Sequence, residues 1–420
     1  MIRRAIFIFL FIYSSGLTQV YSKNPELKSK INEIFSRVPA STSVSVLILD
    51  PLDKDTIFAL NPKEALVPAS NIKLFTTVVA MNMYGPNYEI PTVLYSDTEP
   101  DDKGVINGNL YIKGFGNGLF DTKDLESFVE GLKSFGITRI TGDILGDDSF
   151  LDNEYSRNDW LEDDNNAQLI PPVSALVLDR NRKTERRRIR RNRYRTVSVN
   201  IANPPAHAAQ ALLNSLKKNK ITVLGTSGVG ITPEDAFELG RVSVKMSDIV
   251  SIVNKRSDNF LAEILFKLIG RKKGQNENNG YFASQEIKRF LIENDIYANG
   301  TQIADGSGLS HYNFSSAASL TSLLEWVYIN MDFYDSFITT LSVAGIDGTL
   351  GRRMSSISPA YKFYGKTGTL RGSTSVSGFL SSVYNRDLIV SILFQHNHGS
   401  GDFYKNIQDD VIKLLSSSFE

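Results

Sequence analysis

The chain has no cysteine, so no disulfide framework can support it and no lipid-modified cysteine can tether it. Charge of either sign is not in excess either. The 46 lysines and arginines match 46 aspartates and glutamates, and loss of Arg3 and Arg4 on processing would leave a slightly acidic protein. Bulk charge therefore gives no argument for a nucleic-acid partner. The N-terminal apolar run, Ala5 to Tyr13, falls short of the roughly 20 residues that cross a bilayer. Only four histidines occur. His396 and His398 stand two apart without a nearby carboxylate or cysteine, which favours a structural role over zinc.

What is present begins with Arg3, Arg4, the short apolar run and a small, polar ending at Val20-Tyr21-Ser22. Residues 1–22 read as a signal peptide cleaved before Lys23, with a buried N-terminal helix or an anchor as the alternative. Export without a membrane span implies the periplasm or the outside of a bacterial cell. The length, 420 residues with 41% apolar composition, exceeds one ordinary core and can supply two or more.

Three strings carry the chemistry: Ser70-Asn71-Ile72-Lys73, Ser257-Asp258-Asn259 and Lys366-Thr367-Gly368. In that order they are the signature of a serine acyl-transfer site that uses no histidine. A serine hydroxyl needs a base within reach, and Lys73 lies one helical turn from Ser70. Ser70 is expected in the first turn of a buried helix, whose N-terminal amides can face an oxyanion. Lysine works as a base only when its neutral form is populated, which burial and a second positive charge such as Lys366 both favour. Ser257 can relay a proton. Asn259 offers an amide to the substrate backbone, and Asp258 is expected to point away. Tyr361 to Leu370 reads as an edge strand on which Gly368 leaves room for substrate and Thr369 adds a second oxyanion N–H. The plain alternative, two capping serines and a solvated lysine, explains each string singly but not the ordered set.

The flanking text is similarly specific. Asn254-Lys255-Arg256 before the second string, Phe260-Leu261-Ala262-Glu263 after it, Asp305-Gly306-Ser307-Gly308-Leu309-Ser310, Ala344-Gly345-Ile346-Asp347-Gly348-Thr349-Leu350, Gly365 through Gly372 and Gly142 through Phe150 all resemble the class C low-molecular-mass penicillin-binding proteins. These are the D-alanyl-D-alanine carboxypeptidases and endopeptidases of peptidoglycan. The resemblance covers nearly all of the chain after the leader. It implies an α/β (α+β) fold of the penicillin-binding-protein/serine beta-lactamase-like transpeptidase kind, an antiparallel sheet flanked by helices with an inserted, mainly β second domain. It also implies that Asp147 contacts the amine end of a diaminopimelate side chain. Where relatives often carry arginine after the Gly-Ser-Gly-Leu-Ser loop, this chain has His311.

Ser70 and Ser257 must meet although far apart in sequence. The expectation is a discontinuous catalytic domain, 23–90 plus 246–420, with residues 91–245 inserted. Helical periodicity appears at Asn24–Val38, Leu125–Phe135 and Ala317–Ile329, and in a C-terminal amphipathic stretch from Asp402. Strand patterns appear at Thr42–Asp50, Thr56–Leu60, Asn109–Ile112, Ile140–Leu145, Ser373–Ser382 and Leu388–Gln395. Gly114-Phe115-Gly116-Asn117-Gly118 reads as a tight turn rather than a phosphate cradle, since no Lys-Ser or Lys-Thr pair follows. The third domain that relatives carry is expected to be missing or cut to a hairpin, leaving a basic loop at about 179–198. From Arg180 to Arg195 there are ten Lys or Arg against the single Glu185. Self-repulsion argues for a mobile, solvated loop, and attraction to anionic lipid or glycan is the functional alternative.

The expected activity is a serine-type D-Ala-D-Ala carboxypeptidase and DD-endopeptidase acting on peptidoglycan stem peptides through an acyl-enzyme, with beta-lactams as covalent inhibitors and no cofactor. A serine beta-lactamase or esterase is one alternative. A non-catalytic cell-wall-binding protein is the other, and it predicts no covalent penicillin adduct.

Overall fold

The computed structural model describes residues 24–418 except 161–169, 191–192, 272–276 and 384–385; the expected signal peptide lies outside the described residues. The chain opens with a helix, Pro25–Ser36, capped by the Asn24 side chain, which accepts from the Leu27 amide at 3.0 Å. A six-stranded antiparallel sheet then takes strands from both ends of the chain. Its order is Ser342–Val343, Tyr361–Leu370, Ser373–Ser382, Leu388–Gln395, Ser43–Asp50 and Asp55–Leu60.

Both faces of this sheet are covered, which explains the near-continuous apolar text of Leu388–Gln395. Side chains alternate along a strand. Val390, Ile392 and Phe394 therefore pack with Leu27, Ile31, Phe35 and the C-terminal helix Gly401–Ser418. Ile389 and Leu393 pack on the other side with Phe75, Val253, Leu320 and Leu324. That second layer is helical: Ile72–Tyr84, Met246–Arg256, Asn259–Gly270, Asn279–Glu293 and Ala317–Ile329. Ile72–Met81 is buried all round, as expected for a helix apolar on every face.

The middle of the chain builds a second sheet, ordered Ser227–Val229, Ile144–Asp147, Leu110–Gly114, Glu89–Ser96 and Phe237–Lys245. It is mixed rather than purely antiparallel. Leu110–Gly114 runs parallel to Ile144–Asp147, which runs parallel to Ser227–Val229. Parallel neighbours need a crossover, and the helices Thr122–Ser134 and Pro204–Lys218 supply one each. The stretch expected as one strand, Ile140–Leu145, is split into Arg139–Ile140 and Ile144–Asp147. Between them Gly142 lies so close to Gly108 that a β-carbon would clash at 2.5 Å.

The chain leaves for this region and returns side by side. Glu89 pairs with Lys245 in an antiparallel ladder, and the Met246 amide donates to the Tyr88 carbonyl at 2.8 Å.

The basic segment is a two-stranded hairpin, Arg182–Arg190 against Arg193–Asn200, one of the two forms expected for it, rather than the mobile loop its charge suggests. Thr, Ile, Tyr and Val interleaved with the arginines suit a ladder, and that preference outweighs the charge repulsion. At its root Asp179, Arg180 and Asn181 all have positive φ. The Asn181 side chain holds this turn by donating to the Pro172 carbonyl at 2.8 Å and to Ser174 Oγ at 2.9 Å.

Candidate active site

Ser70 sits in a single 3-10 turn, Ala69–Asn71, that leads into the Ile72–Tyr84 helix, one step earlier than the expected first helical turn. Ala69 ahead of it has φ +49°, a left-handed backbone that costs an L-residue energy unless the surroundings impose it. The surroundings do. Ser375 Oγ donates to the Pro68 carbonyl at 2.6 Å, Ser373 Oγ donates to the Val67 carbonyl, and Asn71 Nδ2 donates to Ser377 Oγ at 3.1 Å. Two glycines make room for the turn. A β-carbon on Gly308 would run into the Ala69 carbonyl, and one on Gly368 would stand 2.6 Å from the Pro68 carbonyl and 3.0 Å from the Ser70 nitrogen.

Lys73 is the second residue of the helix and fully buried. Its Nζ donates to Ser70 Oγ at 3.0 Å, to Asn259 Oδ1 at 2.7 Å and to the Ser307 carbonyl. Burial pulls the ammonium down to about 8, against the opposing negative charge of Asp305, Glu263 and Asp258. At neutral pH roughly a tenth of the molecules then carry the free amine.

Ser257 ends the Met246–Arg256 helix in a left-handed conformation, φ 55° and ψ 41°. Its Oγ accepts from Lys366 Nζ at 2.9 Å, and the same Nζ reaches the Thr367 carbonyl at 2.8 Å. Lys366 is fully buried, and burial followed by the charge on Lys73 holds its ammonium well below the lysine range. The two lysines repel one another, so each disfavours the charged form of the other; burial is the larger cause at both, and the carboxylates of Asp305, Glu263 and Asp258 oppose it at Lys73.

Asn259 opens the next helix, Asn259–Gly270, with Asp258 as its cap accepting from the Leu261 amide at 3.0 Å. The Asn259 oxygen is committed to Lys73 rather than to an incoming backbone. Asp258 turns to the far side, where Arg180 grips both its oxygens at 2.9 and 2.8 Å and stacks on Phe260. Thr367 and Thr369 lie on Tyr361–Leu370. This strand is not strictly the edge, since Ser342–Val343 pairs with its Gly365 and Tyr364. That strand is two residues long, so from Lys366 to Leu370 the outer side has no strand beside it among the described residues. Thr369 is exposed there, and Thr367 Oγ1 donates to Thr349 Oγ1 at 2.8 Å.

Asp147 does not join this cluster. It is buried at the end of Ile144–Asp147 in the second sheet, with Lys113 at 3.1 Å, the Ser149 amide at 2.9 Å and the Thr232 amide at 2.8 Å. Burial pushes its carboxyl up, but the donors from Ser149 and Thr232 outweigh burial and hold it below the usual aspartate range. A substrate amine, the contact that the resemblance implies, would meet this carboxylate only beside the Lys113, Ser149 and Thr232 partners. His396 stacks on Tyr404 with ring centroids 4.0 Å apart and sits 3.3 Å from Thr374 Oγ1.

Two acids escaped sequence reasoning. Glu263 accepts from the Ser307 amide at 2.7 Å and from Gly306 at 3.3 Å; burial, then the charge of Asp305, raises its carboxyl. Asp305 accepts from the Gly308 and Ser310 amides, both at 2.7 Å, from Asn313 Nδ2 at 2.8 Å and from Trp160 Nε1 at 3.1 Å. Together they fix the loop whose Ser307 carbonyl meets Lys73. The available signal was a carboxylate one turn after Asn259 in a helix whose other residues, Lys267 apart, are apolar or glycine.

Comparison with known proteins follows the same lines. The family model for the D-Ala-D-Ala carboxypeptidase 3 (S13) family matches residues 27–191 and 189–418. The D-alanyl-D-alanine carboxypeptidase of Actinomadura sp. is 24% identical over 462 residues, covering 93% of this chain and 84% of that protein. The crystal structure of penicillin binding protein 4 from Haemophilus influenzae superposes with a TM-score of 0.77 at 21% identity, covering 91% of this chain and 99% of that one. The same protein complexed with a novel beta-lactam gives a TM-score of 0.72 at the same identity and coverage.

Proposed function

Because the chain belongs to the D-Ala-D-Ala carboxypeptidase 3 (S13) family, we propose that Ser70 is the nucleophile with which this serine carboxypeptidase opens the D-Ala-D-Ala bond of peptidoglycan stem peptides. One observation carries the reading: a fully buried lysine amine, held at about 8, stands 3.0 Å from the Ser70 hydroxyl. Ser70 Oγ adds to the carbonyl carbon of the penultimate residue as its proton passes to the free amine of Lys73. The oxyanion forms in front of the amides of Ser70 and Thr369. Collapse breaks the C–N bond, and the departing D-alanine nitrogen takes its proton through Ser257 Oγ, which Lys366 holds at 2.9 Å. Water then hydrolyses the ester along the same proton path.

The open side of Lys366–Leu370 suits an extended peptide added as a further strand, with Lys366, Thr367 and Thr369 near its carboxylate end. A D-alanyl to diaminopimelate crosslink fits the same groove, so endopeptidase activity belongs to the proposal. Beta-lactams would acylate Ser70. We place the enzyme outside the cytoplasm on the character of residues 1–22; among the described residues no helix is long and apolar enough to cross a membrane.

The test is mass spectrometry of purified muropeptides after incubation with wild type and Ser70→Ala. D-Alanine loss from monomers and splitting of dimers are expected only with wild type. Muropeptides left untouched by wild type, beside rapid turnover of a penicillin ester, would show a beta-lactamase instead.

A further inference from the structure

We propose that the Arg182–Arg190/Arg193–Asn200 hairpin is a docking element for the phosphate headgroups of an anionic lipid bilayer. The site chemistry leaves it unused, and its own charges conflict. In the ladder register Arg187 stands opposite Arg195, and Arg190 opposite Arg193. Like charges directly across a strand pair destabilise it. The single acid, Glu185, is shared by Lys183 at 3.1 Å and Arg187 at 3.4 Å. No carboxylate partners Arg186, Arg188, Arg190, Arg193 or Arg195 among the described residues. The register divides these guanidiniums between the two faces of the ribbon, Arg186 and Arg188 beside Tyr194 on one and Arg187, Arg190, Arg193 and Arg195 on the other, so each face offers cations to phosphates, each of which can take two parallel N–H bonds.

The occupant is a bilayer rather than a soluble polyanion because of what lies among the arginines. Ile189 is 60% exposed and Tyr194 51% exposed. Arg186 lies over the Tyr194 ring at 4.4 Å. Exposed aliphatic and aromatic side chains flanked by arginine suit the headgroup boundary, where ring and alkyl groups enter the acyl region and the cations stay with phosphate. Most of the hairpin is exposed on both faces, and a lone two-stranded ribbon is marginal in water. Docking would relieve the cross-strand repulsion.

The experiment is vesicle flotation of the full chain with phosphatidylcholine liposomes, with and without phosphatidylglycerol, at low and high salt. Two variants accompany it, a fivefold Arg→Gln exchange at 186, 188, 190, 193 and 195, and Ile189→Ser with Tyr194→Ser. Covalent labelling by fluorescent penicillin checks that each is folded and active. Wild type should float with phosphatidylglycerol only, at least about tenfold above the neutral vesicles, and lose this at high salt. The arginine variant should lose it entirely and the Ile/Tyr variant in part, with penicillin labelling unchanged. The proposal is overturned if wild type does not distinguish the two liposomes. It is equally overturned if flotation survives the arginine exchange, or if the Ile/Tyr variant floats as wild type does while soluble polyphosphate or nucleic acid displaces both. That last result would mark a general polyanion surface.

Discussion

The cleft and the hairpin both gather cations, and they use them in opposite ways. Lys73 and Lys366 are fully buried and pressed toward the neutral amine. The hairpin arginines stand in water, which screens the repulsion between opposed guanidiniums to a few tenths of a kcal/mol. Crowding of like charge alone therefore does not make a lysine a base. Removal from water is the larger cause, with the Lys73 charge adding to it at Lys366 and the carboxylates around Lys73 limiting how far it goes there.

The largest effect expected from breaking this contrast is at the cleft. Ser70→Ala should abolish the covalent penicillin adduct on a gel and lower D-alanine release by about 10⁴-fold or more. Lys73→Met should cost roughly 10²–10⁴-fold in acylation rate and yet raise stability. The sign follows from linkage: a folded-state value of about 8 lies below the unfolded lysine value, so the stability tied to the free amine is lost as pH falls through about 8. At neutral pH the buried ammonium is a net cost, and its removal should gain up to about 3 kcal/mol, read by urea melts. A melt that moves the other way would show the hydrogen bonds to Asn259 and Ser307 to be worth more than the buried charge.

Next in size is the pH profile. Acylation by penicillin should rise about tenfold per pH unit below about 8 and then level. Glu263→Gln should shift the midpoint downward, because one of the negative charges that support the Lys73 ammonium is gone while Asp305, Asp258 and Lys366 remain. Gly308→Ala tests the turn without touching a charge. Its β-carbon would displace the Ala69 carbonyl, so labelling should fall by about an order of magnitude or more. The smallest effect belongs to the hairpin: Arg195→Thr should leave D-alanine release unchanged and gain a few tenths of a kcal/mol by removing the pair with Arg187.

Much of the architecture was legible. Ala317–Ile329, Ser373–Ser382 and Leu388–Gln395 form the elements their patterns predict, to the residue. Local periodicity suffices where both flanks carry turn signals. Lys73 beside Ser70 follows from helix spacing alone. The left-handed Ala69 does not, since Gly308 and Gly368 impose it from distant parts of the chain. A hairpin was among the forms expected for the basic stretch; the length of its two strands was obscured because its charge was easier to read than its Thr, Ile and Val. The enclosure of Asp147 by Lys113, Ser149 and Thr232 was not legible either, since its partners come from three separate strands and turns of the second sheet.

The paired exit and return at Glu89 and Lys245 has a consequence for how such proteins diversify. A segment whose two ends are stitched together puts no tension on the body that carries it. It can grow, shrink or shed a module while the serine and lysine residues behind it keep their spacing.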